Sequence, residues 1–128
     1  MPIKYKEAED IRRIAEEIVK TLNLNHIQIE NVGFLRSYGS SSRRTIARCH
    51  ALSKPLQLGM NRKAFYTVEV LSEKFDRMSE DDRIKVIIHE LMHIPWGFGG
   101  GFKHHNYVCE RNVDKLFRIY KNESGFKI

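Results

Sequence analysis

Cysteine, proline and tryptophan are scarce, with two, three and one among 128 residues. Cys49 and Cys109 lie far apart and neither sits in a CxxC pair, which excludes a zinc ribbon and a disulfide framework and leaves two buried free thiols as the expectation. No uninterrupted apolar run approaches the roughly 18 residues that cross a bilayer, so no membrane partner is expected. The opening MPIKYKEAEDIRR lacks the apolar core of a secretion signal, and the expected location is the cytoplasm. Internal repeats and low-complexity tracts are also missing, which excludes solenoids and flexible linkers.

What is present is ordinary globular composition, 41% hydrophobic and 30% charged, at a length that suits a single domain spanning residues 1–128. The net charge of +6 and a pI near 9.4 are compatible with a nucleic-acid partner. The basic residues are nevertheless scattered, and only Arg43, Arg44 and Arg48 cluster, so a solvated basic surface explains the charge equally well.

Apolar residues at Ile11, Ile14, Ile18, Val19 and Leu22 recur at helical spacing and predict an amphipathic helix from about Glu7 to Leu22. The period then shifts toward two. Strands are predicted at Ile27–Ile29, at Phe34–Tyr38, at Arg44–Leu52 returning against it across the Gly39–Ser42 turn, at Leu56–Met60 and at Ala64–Leu71. Ser79 followed by Glu80, Asp81 and Asp82 is a capped helix start, and Pro95 is a stop. A last helix is predicted over about Asn106–Lys121 with Cys109, Val113, Leu116, Phe117 and Tyr120 inward. The expected class is α+β, with a small, mostly antiparallel sheet packed on an N-terminal, a central and a C-terminal helix.

The central helix carries His89-Glu90-Leu91-Met92-His93. Residues four apart share a helix face, so two imidazoles there can converge on one metal ion, and the glutamate between them can reach a metal-bound water. Ile84, Ile87, Ile88 and Leu91 form one apolar stripe, and Val86, His89, Glu90 and His93 share the other side. A helix apolar on nearly all sides is buried on nearly all sides. A buried Glu90 without a partner costs several kcal/mol or turns neutral, whereas a nearby zinc ion offsets that cost directly.

A catalytic zinc needs a third protein ligand and one open position. Downstream, Gly97, Gly99, Gly100 and Gly101 allow a sharp chain reversal, and His104 and His105 follow. Projecting the last helix back from Val113 puts His105 about 80° from the buried stripe and His104 on the opposite side, which favours His105. His26 and His50 fall on strand-like segments and are read as ordinary surface or core residues.

HELMHIP followed by FGGGFKHH resembles the HELxHIP…GG…H signature of phage-type metallopeptidase domains, and it is more distantly similar to SprT-like proteases. The likeness extends upstream through AFYTVEVLSEKFDRMSEDDRIKVIIHE, about the last half of the chain. It implies a minimal zincin-like fold and a zinc metallopeptidase acting on a peptide or protein substrate. Carried onto this chain, His89, His93 and His105 are the metal ligands and Glu90 the catalytic base. The cysteine-rich ribbon that often follows SprT-like catalytic domains is absent, so their association with DNA-crosslinked protein does not transfer. The longer metzincin pattern fails too, since Trp96 and Gly99 stand where its glycine and third histidine belong. An extended substrate is expected along a strand edge near Leu56–Met60. Tyr107, Tyr38 and Arg36 are oxyanion candidates by residue type alone. The alternative reading is a zinc-stabilised nucleic-acid-associated or protein-interaction module without proteolytic activity.

Overall fold

The computed structural model describes residues 2–103 and 107–125. In chain order the elements are β1 (Lys4–Glu7), α1 (Glu9–Thr21), a 3-10 turn (Ile29–Asn31), β2 (Val32–Tyr38), β3 (Ala47–Ala51), α2 (Lys54–Gly59), β4 (Tyr66–Leu71), α3 (Ser72–Phe75), α4 (Glu80–Met92) and α5 (Glu110–Gly125). The class is α+β. The strands form one sheet in the order β1-β2-β4-β3, antiparallel at both ends and parallel between β2 and β4.

Side-chain alternation decides which sheet face is covered. Val32 and Phe34 of β2 and Tyr66, Val68 and Val70 of β4 point to one side, where Ile11, Ala15 and Ile18 of α1 meet Ile84, Ile87, Ile88 and Leu91 of α4. Val113 and Tyr120 of α5 complete this core. The helix α4 is thus held on its apolar stripe, and its entry is fixed by Ser79, whose hydroxyl accepts a bond from the Asp82 N–H at 3.2 Å. Among the described residues, no helix is long and apolar enough to cross a membrane.

Several elements depart from the sequence expectation. Ile27–Ile29 is not a strand; it leads into the 3-10 turn. Leu56–Met60 is not a strand either, because Pro55 sits at the first turn of α2, where its fixed φ and missing N–H suit a helix start. The segments at β2 and β3 do not pair with each other, since β4 inserts between them. The last helix begins at Glu110 rather than Asn106, and β1 was not expected at all.

Candidate metal centre

The last turn of α4 brings His89 and His93 side by side, with Nε2 atoms 3.3 Å apart and ring centroids 5.1 Å apart. The orientation of His93 is fixed from the loop that follows. Its Nδ1 lies 2.9 Å from the Lys103 carbonyl, and a carbonyl can only accept, so Nδ1 carries the proton and Nε2 presents its lone pair. The Lys103 N–H in turn donates to the His93 carbonyl at 2.8 Å, so the two residues are joined twice. Glu90 is 6% exposed, with Oε2 4.0 Å from His89 Nε2. Burial pushes its carboxyl up to about 7.

The pair fits a metal. Two nitrogens each about 2.0–2.1 Å from one zinc at the tetrahedral angle lie about 3.3–3.4 Å from each other, which is the separation found. An N–H···N bond between the two rings is the competing account, at a separation just beyond the roughly 2.7–3.2 Å of N–H···O bonds. Among the described residues, no group of three or more His, Cys, Asp or Glu is arranged to hold an ion. His89 and His93 supply two donors. His104 and His105 lie outside the described residues, so the expected third ligand is not among them. The phase argument for His105 finds no support among the described residues, because residues 107–109 are not helical and α5 starts at Glu110.

Two clefts meet at this point. One of about 630 Å³ is lined by Arg44 to Ala47, Val86, Val113 and neighbours; the other, about 440 Å³, by Ala47 to Cys49, Phe102 and Lys103. His89 and Glu90 belong to both. Successive residues of the β3 segment therefore line first one cleft and then the other, so a groove follows this strand and the His-Glu pair stands at its middle. β3 is the last strand of the sheet, and its outer edge pairs with no other strand among the described residues. Cys49, on its inward face, is a free thiol pushed up to about 12 by burial and by the Glu90 charge.

Residues 3–121 match the family described as Putative phage metallopeptidase. The chain belongs to that family. Searches of curated proteins and of solved structures gave no significant match. Membership in a metallopeptidase family implies a divalent metal ion and a peptide or protein substrate.

His26 and His50 stay outside the centre. His26 Nε2 donates to the Ile94 carbonyl at 3.3 Å and its ring lies 4.4 Å from that of Trp96; His50 Nε2 donates to Glu69 at 2.7 Å. Arg36 is engaged by Asp10 and Asp76, and neither it nor Tyr38 lines either cleft. Lys103 has no spacing signal in the sequence, and its two hydrogen bonds with His93 reveal its place. The small residues Ala47 and Cys49 were likewise missed, because a cleft wall has no sequence pattern.

Proposed function

We propose that this phage-type metallopeptidase is a one-domain, zinc-dependent peptidase in which His89, His93 and His105 hold the ion and Glu90 carries the proton. The observation that carries the reading is the convergence of the two Nε2 atoms at 3.3 Å beside a buried carboxylate, at the middle of a groove along the outer edge of β3. Connectivity supports a third ligand at His105 or its neighbour: both follow within two residues of Lys103, which is bonded to His93. The GG…H family pattern favours His105.

When bound, the ion supplies Lewis acidity toward water and the scissile carbonyl. Glu90 accepts the water proton at its carboxylate and returns it to the departing amine, a task that suits a group whose carboxyl lies near neutrality. The outer edge of β3, unpaired among the described residues, offers backbone donors and acceptors to an extended peptide, and the groove receives its side chains on both sides of the His-Glu pair. This replaces the Leu56–Met60 edge expected from sequence.

The test is a peptide-library digestion with the zinc-loaded chain and with Glu90→Gln. The variant is expected to keep its ion and to lose about 10²–10⁴ in kcat/KM. Cleavage that persists undiminished would sink the mechanism.

A further inference from the structure

The helix α2 is inside out. Leu56, Leu58 and Met60 are 54%, 80% and 57% exposed, whereas the polar Gln57 between them is 5% exposed. Burying an amide while exposing three large apolar side chains is unfavourable unless the amide has specific work. Gln57 Nε2 donates to the Leu52 carbonyl at 2.8 Å and to the Gly99 carbonyl at 3.1 Å, so it ties α2 to the glycine-rich loop after α4.

A second tie comes from the central strand. Tyr66, fully buried on β4, donates its hydroxyl to the Gly101 carbonyl at 2.9 Å and accepts the Gly100 N–H at 2.8 Å. Its ring packs edge-on against Phe98 at 4.9 Å and Phe102 at 6.2 Å. The loop is shaped to these two anchors. Gly100 has φ +108°, and a Cβ there would lie 2.6 Å from Gln57 Nε2 and 2.9 Å from the Leu52 carbonyl, so only glycine fits. Phe98 is held at φ +47°, a costly conformation for a bulky residue that the surrounding contacts must maintain.

The loop ends on the metal-site imidazole. Phe102 stands perpendicular to the His93 ring at 6.3 Å; the Lys103 carbonyl accepts the His93 Nδ1–H and so fixes the tautomer, while the Lys103 N–H donates to the His93 carbonyl and holds the backbone beside it. We infer that Gln57 and Tyr66 are positioning residues for the metal centre, acting through residues 99–103 to hold His93 with its Nε2 lone pair toward the ion. The inference rests on the metallopeptidase reading and adds two residues, from a helix and a strand outside the motif, that neither the motif nor the family match assigns.

The experiment uses the full chain with Tyr66→Phe, which keeps the ring and removes both hydroxyl bonds, and Gln57→Leu. Zinc affinity is measured by chelator competition, the His93 tautomer by ¹⁵N chemical shifts in the metal-free protein, and folding by its thermal midpoint. The expected result for Tyr66→Phe is zinc affinity lower by about 10–100-fold, with His93 ¹⁵N shifts moving toward a mixed tautomer and cooperative unfolding retained. Gln57→Leu is expected to act in the same direction. Affinity and ¹⁵N shifts unchanged in both variants would overturn the inference, as would weakened affinity with an unchanged His93 tautomer. If the unsubstituted chain bound no zinc, the metallopeptidase reading would fail by itself. The metal-free ¹⁵N shifts would then still decide whether Gln57 and Tyr66 position His93.

Discussion

Arg36 meets Asp10 edge to edge, Nη1 to Oδ1 at 2.6 Å and Nη2 to Oδ2 at 2.8 Å. Its remaining donors reach Asp76 at 2.9–3.3 Å, so one guanidinium joins α1, β2 and the end of α3. The Arg36 bond holds the Asp10 carboxyl below its ordinary value. For Asp76, burial alone would push the carboxyl up, but the bonds from Arg36 and Ser72 outweigh it and leave it lowered. A lowered folded-state pKa contributes stability above the unfolded value, about 3.8, and that contribution is lost as pH falls through the folded value. Arg36→Met is therefore expected to cost about 1–2 kcal/mol at pH 7, discounted because both carboxylates are partly solvated. The gap to the unsubstituted chain should narrow toward pH 3. Urea melts at the two pH values check both statements.

Ser79 caps the entry of α4 through its side chain, and the proposed site stands at the other end of that helix. Ser79→Ala is expected to destabilise by about 1 kcal/mol in urea while leaving bound zinc at the unsubstituted ratio. Loss of metal in this variant would mean that the cap also sets the site geometry.

The strength of the sequence signal varied with how local its cause is. The motif helix was readable because capping, acidic first turn, apolar stripe and proline stop all act within 17 residues, from Ser79 to Pro95. Strands β2, β3 and β4 were readable from their period. Their order was not, because the parallel pairing of β2 with β4 depends on contacts distant in sequence. The Leu56-Gln57-Leu58 alternation imitated a strand, although its leucines are exposed and Pro55 marked a helix start. β1 left no trace because all four of its residues are exposed. At the proposed site, the shared helix face of His89, Glu90 and His93 was legible from spacing, while the paired hydrogen bonds of Tyr66, Gln57 and Lys103 follow from no spacing in the sequence.

The third ligand is settled by elemental analysis of two variants. His105→Ala is expected to lose zinc and His104→Ala to retain it. The reverse result would move the assignment to His104 and leave the rest of the mechanism intact.

The groove predicts how a substrate lies. With a non-cleavable peptide analogue bound to zinc-loaded Glu90→Gln, amide exchange in Ala47–Ala51 is expected to slow about tenfold or more through added strand pairing. Protection elsewhere, with β3 unaffected, would remove the strand-edge mode.

The bonds that build the centre differ greatly in reach. His89 and His93 are four residues apart, whereas the Tyr66–Gly101 and Gln57–Gly99 bonds close 35 and 42 residues. Closing long loops costs entropy that a helical turn avoids, so the two imidazoles should come together early and the strap that steadies them late. Pulse-labelled exchange during refolding is expected to protect the amides of 84–93 before that of Gly100, with the opposite order refuting the sequence of events. If that order is found, assembly of the proposed site has a direction in time, and tight binding of the ion belongs to its last step.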